Sequence, residues 1–343
     1  MAGGQAGTGA RRQVPSRRVT IADVASRAGV SNATVSRVMN GRGTVDAAIA
    51  ERVREAATAL DYRVNPLGRS LVLGRTETIG VVVPDLGNPT FQDLLRAMSR
   101  VMSGDGHRAL VADSAESPAE EVILAEEVRR RCDGLVLVAP RMSAADLAAL
   151  TASLDPVVVY NRPGEPGSGA AVDYAGGIHA VVEHLRELGH RHLVYLSGPP
   201  SSVSNRLRHR ALEAELAAAP DLRLDVVAAG ADFAAGHDAA PAVLATGATA
   251  AVAYNDLVAM GLLSGVQEAG HKVPDRLSVT GFDDIPFAAY TTPPLTTCRA
   301  PLDDAAAACW AALRAELDGQ EPPDEVLLPA PLVVRASTGR APS

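Results

Sequence analysis

The sequence predicts an α/β protein: a small all-α module at the N-terminus, then a two-lobed body of doubly wound parallel sheets. Three observations carry this. Short apolar runs recur from residue 78 onward, separated mostly by amphipathic patterns of helical period. Short strands that are apolar throughout are buried on both faces, as parallel sheets covered by helices require. Before residue 63 the period is helical only, with no strand pattern. The charge also changes sign along the chain. Residues 1–78 carry 12 Arg against 6 acidic residues, and the rest carries 20 basic against 34 acidic, within a net charge of −8. A basic head on an acidic body suggests a module for nucleic acid joined to one for something else. At 343 residues and 47% hydrophobic, the chain is long enough for two or three cores.

Residues 1–17 are Gly, Ala, Ser and Pro with scattered Arg, and read as a disordered tail. Residues 18–63 hold three short helical patterns. Thr20-Ile-Ala-Asp23 is a capping box with Asp in the Glu place, opening a helix to about Ala28. Gly29-Val30 makes a tight turn. Ser31 opens a second helix through Met39, stopped by Asn40-Gly41. Helix, Gly-containing turn and helix in about 20 residues form a helix-turn-helix. Val24, Ala25, Val30, Val35 and Val38 can bury together. A third helix follows Asp46, with Ile49, Val53, Ala56 and Leu60 as its apolar stripe. Residues 64–75 form a linker, and 76–338 the body. Strands are expected at Ile79–Val83, Ala109–Ala112, Gly134–Val138, Val157–Tyr160, Leu193–Leu196, Asp225–Ala228, Ala250–Ala253 and Ser278–Thr280. Two similar lobes with a cleft between them accommodate this many strands. Crossovers between lobes are expected near 162–170, which is rich in Pro and Gly, and near 290–322.

With its apolar side buried, the second helix leaves Asn32, Ala33, Thr34, Ser36 and Arg37 outward. Short polar groups and one guanidinium suit base edges and phosphates. Val19-Thr-Ile-Ala-Asp-Val-Ala, then Ala28-Gly-Val-Ser, then Thr34-Val-Ser-Arg-Val-Met-Asn40 resembles the LacI/GalR family of bacterial repressors. The similarity runs without a gap to Leu60-Asp-Tyr62 and Asn65, and more weakly to about residue 335. The resemblance implies that Asn32, Ala33 and Arg37 face bases in the major groove. It also implies that Thr20, Ser31, Thr34, Ser36 and Asn40 hold phosphates. Asn65-Pro-Leu-Gly-Arg-Ser-Leu71 resembles the family's hinge helix. There Leu71 matches a residue that wedges a base step in the minor groove, and Arg69 the basic position beside it. Gly68 stands where the family usually has Ala, a change that weakens the helix by about 0.8–1.0 kcal/mol.

In paired α/β lobes, ligand groups sit at the C-terminal ends of strands. A sugar presents hydroxyls at its rim and C–H faces, so its site needs carboxylates, amides, a guanidinium and an aromatic plate. Arg208, Asn255, Asp283 and Phe233 supply that chemistry at strand ends. The resemblance implies that Arg208, Asn255 and Asp283 contact the effector, that Phe233 stacks on it, and that Ser204 and Phe91 line its pocket. Asn161 stands where the family usually has Asp, so its contact is left open. The implied body is periplasmic-binding-protein-like, and the implied partners are a pseudo-palindromic DNA operator, a small effector and a second copy of the chain. A sugar is the first choice of effector, and a purine or nucleoside the alternative.

Other classes fit poorly. A sugar receptor without DNA would leave residues 19–62 unexplained. No dinucleotide-binding glycine motif, P-loop or nucleophile elbow marks an enzyme. No run of about 18 apolar residues suggests a membrane span. The N-terminus lacks an apolar core of secretory type, which points to the cytoplasm. Cys132, Cys298 and Cys309 have no metal-like spacing, and read as reduced, mostly buried thiols. His184, His190 and His192 have no supporting Cys or carboxylate cluster, so neither metal nor cofactor is expected. No leucine heptad extends the C-terminus, which favours a dimer over a coiled-coil tetramer.

Overall fold

A computed structural model describes residues 19–39, 45–62 and 74–342. The tail at 1–17, Asn40, and the hinge residues Arg69 and Leu71 lie outside the described residues. The chain divides into two compact units, Met1–Thr76 and Glu77–Ser343.

The first unit contains α1 (Ile21–Ala28), α2 (Asn32–Met39) and α3 (Ala47–Ala59). The capping box forms: Asp23 N–H donates to Thr20 Oγ1 at 3.4 Å, and Thr20 N–H to the Asp23 carboxylate at 2.8 Å. Gly29 ends α1 with φ +65°, a conformation an L side chain adopts only with strain. Val24, Ala25, Ala28, Val35, Val53, Ala56 and Ala57 make the core, with Val30, Val38 and Leu60 packed half-buried against it. The α3 stripe differs from expectation at its start. Ile49 is half-buried in the first turn, and Ala50 and Ala57 bury with Val53 instead. Small side chains at those positions let three short helices approach closely. Arg52 locks the packing by donating to the Ala28 carbonyl at 2.7 Å.

The second unit holds two six-stranded sheets. The first lobe comprises β1 (Thr78–Val83), α4 (Pro89–Gly104), β2 (Arg108–Asp113), α5 (Pro118–Arg129), β3 (Gly134–Val138), α6 (Ala144–Ser153), β4 (Val157–Tyr160) and β5 (Ser168–Asp173). The second comprises α7 (Tyr174–Glu187), β6 (His192–Ser197), α8 (Val203–Ala218), β7 (Arg223–Ala228), α9 (Phe233–Asp238), α10 (Ala240–Ala245), β8 (Ala250–Ala253), α11 (Asp256–Glu268), β9 (Ser278–Asp283) and β10 (Thr296–Arg299). The chain then returns as α12 (Leu302–Leu317) and β11 (Val326–Pro329) on the first lobe, and ends with β12 (Leu332–Val333) on the second. Strand orders are β11-β5-β4-β3-β1-β2 and β12-β10-β9-β8-β6-β7, parallel except for β12.

All eight expected strands form, within two to three residues at their ends. The expected crossover at 162–170 is corrected. Residues 161–167 turn within the first lobe from β4 into β5, and the chain crosses at the β5–α7 junction. β5 was missed because Ser168-Gly-Ala-Ala-Val-Asp173 is small-residue-rich and gives little strand signal, yet it is buried between β4 and β11. The return crossing falls near residue 300, inside the expected 290–322, and a further pass follows β11. The C-terminal ends of both parallel sheets thus face one cleft.

Candidate functional site

The unit Met1–Thr76 presents one polar helix face. Asn32, Ala33 and Arg37 are exposed together on α2, one turn apart as 3.6-residue spacing dictates. Ser31 caps the helix: Thr34 N–H donates to its Oγ at 3.1 Å, and the two hydroxyls pair at 2.9 Å. Thr20 Oγ1 is engaged with Asp23 at 2.7 Å. Thr34 and Ser36 are half-buried. The N-termini of α1 and α2 thus carry hydroxyls, and a helix N-terminus of this kind favours anions.

The second unit holds a cleft of about 460 Å³, counting its open mouth, between the two lobes. The first lobe supplies Asn88, Thr90 and Phe91 from the start of α4, Ala139 and Arg141 after β3, Tyr160 and Asn161 at β4, and Val172 in β5, with Tyr174 at the crossing into the second lobe. The second supplies Ser204 and Arg208 from α8, Tyr254 and Asn255 after β8, and Phe282 and Asp283 at the end of β9. Six expected residues therefore meet in one cavity: Phe91, Asn161, Ser204, Arg208, Asn255 and Asp283. Phe233 does not join them. It opens α9, is 44% exposed and does not line the cavity.

Arg208 is the centre of the site. It is 3% exposed, and its guanidinium carbon lies 4.1 Å from the Phe282 ring centroid, 4.5 Å from Tyr174 and 4.9 Å from Tyr254. Ring faces attract the cation and hold the planar guanidinium in place. Its Nη2 stands 3.7 Å from Asp283 Oδ1, an ion pair too long for a hydrogen bond. Burial raises the Asp283 carboxyl to about 6, against the opposing pull of Arg208 and Thr90. Burial also raises the phenols of Tyr160 and Tyr174, so both present neutral rings. Three cleft residues, Ala139, Asn161 and Asp283, adopt positive φ of 42°, 67° and 120°. Such backbone gathers at ligand sites, where the surrounding fold holds it.

The amides of Asn161 and Asn255 are engaged within the protein. Asn161 donates to the Tyr174 hydroxyl at 2.5 Å and accepts from Val172 N–H at 3.1 Å. Asn255 caps α11 by accepting from Val258 N–H at 2.9 Å, and donates to the Ala231 carbonyl at 2.8 Å. Arg141 is held by Glu116, with contacts of 2.5 and 2.7 Å, and by the Ala139 carbonyl. Behind it, buried Glu121 accepts from the Arg141 and Met142 N–H groups, and burial raises its carboxyl to about 7. Sequence reasoning did not single out Arg141 or Tyr174. Thr90, Tyr254 and Phe282 fall within the strand-end stretches 84–91, 254–256 and 281–284 that the sequence marks for the cleft, without a role of their own. Tyr174 follows the unseen β5.

The three histidines have internal roles. His190 is fully buried between Thr249, Ser278 and the Gly339 carbonyl, and burial lowers its pKa. His184 meets Thr338 at 2.9 Å, and His192 meets Asp225 at 2.7 Å. Among the described residues, no cluster of three or more His, Cys, Asp or Glu could hold a metal ion. No helix among them is long and apolar enough to cross a membrane.

A helix-turn-helix unit on the same chain as a two-lobed α/β body with a ring-walled polar cleft defines a class: a DNA-reading head joined to a small-molecule-binding body. Residues 20–65 match the family model for bacterial regulatory proteins of the lacI family, and residues 182–338 that for a periplasmic binding protein-like domain. The HTH-type transcriptional regulator GalR of Escherichia coli K12 is 33% identical, over 94% of this chain and 96% of that protein. The lac repressor dimer bound to operator and the anti-inducer ONPF superposes with a TM-score of 0.87 at 27% identity, covering 94% of this chain and all of that one. The transcriptional regulator CelR in complex with cellobiose gives 0.69 at 27% identity, over 93% of this chain and all of that one. The chain belongs to the lacI family of bacterial transcriptional regulators.

Proposed function

We propose that the protein is a repressor that binds a pseudo-palindromic operator as a homodimer, and that a sugar held between its lobes controls its affinity for DNA. The observation that carries the effector reading is Arg208, buried between three rings and facing Asp283 across a cleft that both lobes line. A guanidinium and a carboxylate address hydroxyls, and ring faces address C–H surfaces. A ligand touching both lobes binds one inter-lobe angle better than another, which is the differential affinity allostery requires. DNA reading is assigned to Asn32, Ala33 and Arg37, with phosphate contacts from Thr20, Ser31, Thr34 and Ser36.

The second copy is assigned to exposed apolar surface on the body. Leu110 and Val111 lie on edge strand β2, Val226 on edge strand β7, and Phe287 and Tyr290 in the short 3₁₀ turn Pro286–Tyr290. Apolar edges of this kind on a soluble chain are commonly covered by a partner. Pairing of two heads then sets the operator's two-fold symmetry. The cleft is assigned to binding rather than turnover, because the Ser202 and Ser204 hydroxyls bond each other and the Tyr254 hydroxyl instead of a base. Cytoplasmic residence accords with DNA as target and three buried free thiols.

The test is to select operator sequences from a random DNA pool with the purified protein, then titrate sugars, purines and nucleosides into the complex and follow fluorescence anisotropy. A sugar that changes operator affinity supports the reading. A response to purines or nucleosides alone overturns the sugar, and failure to enrich any sequence overturns operator recognition.

A further inference from the structure

We propose that the ligand of this cleft is an uncharged polyol rather than a phosphorylated sugar, and that the Thr90 hydroxyl is the specificity-determining contact from the first lobe. The inference rests on the sugar reading above and narrows it.

It starts from two orphan atoms. Among the described residues, three buried side-chain atoms lack a hydrogen-bond partner: Glu316 Oε2 lies elsewhere, whereas Thr90 Oγ1 and Arg208 Nε belong to residues that line this one cavity. Buried polar atoms are rarely left unpaired in a folded protein, so two in one cavity call for a group that pairs them. Thr90 is not needed for local structure in the usual way. Asn88 already caps α4 by accepting from Thr90 N–H at 3.0 Å, and the threonine hydroxyl is left over. It lies near enough to Asp283 to lower that carboxyl's pKa, yet forms no hydrogen bond of ordinary geometry with it. The two residues come from opposite lobes, so a group between them bridges the cleft.

Charge decides the kind of ligand. Arg208 faces Asp283, and Arg141 faces Glu116, so each guanidinium in the cavity already has its carboxylate. No lysine lines the cavity. A phosphate brings close to two negative charges at neutral pH. It would meet the Asp283 carboxylate with no uncommitted cation to offset it. A hydroxyl, by contrast, both donates and accepts. One ligand hydroxyl can accept from Arg208 Nε while donating to Asp283, and a neighbouring one can pair with Thr90 Oγ1. With Asn161 engaged elsewhere through both its amide oxygen and its amide nitrogen, the polar side chains the first lobe brings to the cavity are Thr90, Asn88, Arg141 and Tyr160, and of these Thr90 carries the unpaired buried hydroxyl.

The test uses isothermal titration and thermal melting of the full-length protein with matched pairs: ribose and ribose 5-phosphate, glucose and glucose 6-phosphate, galactose and galactose 6-phosphate, with cellobiose added. Wild type, Thr90→Val and Thr90→Ser are compared. In wild type, at least one free sugar binds, and its phosphate ester binds about a hundredfold more weakly or not at all. Thr90→Val replaces an unpaired hydroxyl with a methyl of the same shape, so without ligand it melts no lower than wild type. It nevertheless loses about tenfold in affinity for that sugar, while Thr90→Ser keeps it. A phosphate ester that binds as tightly as its free sugar overturns the neutral-ligand assignment. Unchanged affinity in Thr90→Val overturns the role of Thr90. Silence across the whole panel overturns the sugar reading itself, a result distinct from either.

Discussion

Arg37 and Asp283 carry the sharpest expectations at the scale of single residues. Arg37 is exposed on α2 beside Asn32 and Ala33. If it reads a base edge, Arg37→Ala costs about 1–3 kcal/mol of operator affinity and relaxes the preference at one base pair. The check is the ratio of specific to non-specific binding at one salt concentration, and an unchanged ratio moves Arg37 to phosphate contact. Asp283 gives a pH dependence. Its carboxyl titrates near 6 because burial disfavours the anion. The ionised form is the one that accepts hydroxyl donors, so sugar affinity is full above that value and declines as pH falls from 7 to 5. Titration calorimetry across that range checks this, and flat affinity would remove Asp283 from the contact set. Residue chemistry was partly legible in advance. Asp283 stands at a strand end and Arg208 on the helix that follows β6, each with the right group. Asn161 and Asn255 stand at strand ends too, but whether an amide faces a ligand or its own backbone depends on neighbours such as Val172, Tyr174 and Ala231, which no local pattern reveals.

Elements add the local frame. The capping box of α1 joins Thr20 and Asp23 in reciprocal bonds, and it is read directly from four residues. Thr20→Ala removes the side-chain acceptor, at a cost of about 0.5–2 kcal/mol to the helical unit. Circular dichroism melts of the full chain with and without operator check it, since the loss appears in the DNA-reading unit alone. The loop after β3 gives a second case. Glu121 on α5 receives the Arg141 and Met142 N–H groups and titrates near 7, above its ordinary 4.5. A carboxyl whose folded value is raised favours the fold below its unfolded value, and loses that contribution as pH rises through the folded one. Glu121→Gln keeps the acceptor oxygen and cannot ionise. It is therefore expected to gain stability relative to wild type as pH rises from about 4.5 to 7. Chemical denaturation of both proteins across that window measures the gap, and a constant gap refutes the assignment. Strands from β1 to β4 were visible because they are apolar runs. β5, β10, β11 and β12 were not, because small residues in β5, polar residues in β10, a closing proline in β11 and two-residue length in β12 leave pairing partners, rather than propensity, to make the strand.

The whole molecule joins a reading head to a switching body. Dimer formation belongs to this scale, because it aligns two heads on one DNA. Tyr290 is 85% exposed and Leu110 lies on the edge strand β2, so Tyr290→Arg together with Leu110→Asp is expected to weaken self-association. Analytical ultracentrifugation reads the loss directly, and operator affinity falls with it because two linked heads bind as one. A double variant that still sediments as a dimer moves the interface elsewhere. The crossover correction also belongs here. The chain passes between lobes at the β5–α7 junction, near residue 300 and after β11, so the lobes are tied by several strands of chain beneath the cleft. Such ties permit a change of inter-lobe angle while limiting separation.

By itself the sequence determined the order of modules, the helix-turn-helix with its caps, the alternation of strands and helices, and the identity of the cationic and anionic residues at strand ends. These are local properties: periodicity, capping chemistry and charge act over a few residues, and a linear reading captures them. Only the tertiary structure decided that Phe233 stays at the surface, that the Asn161 and Asn255 amides are occupied internally, that Arg208 sits among three rings, and that Thr90 Oγ1 is left unpaired opposite Asp283. These outcomes depend on residues far apart in sequence, from Asn161 and Tyr174 to Thr90 and Asp283, meeting in space, where burial and competition for hydrogen bonds decide.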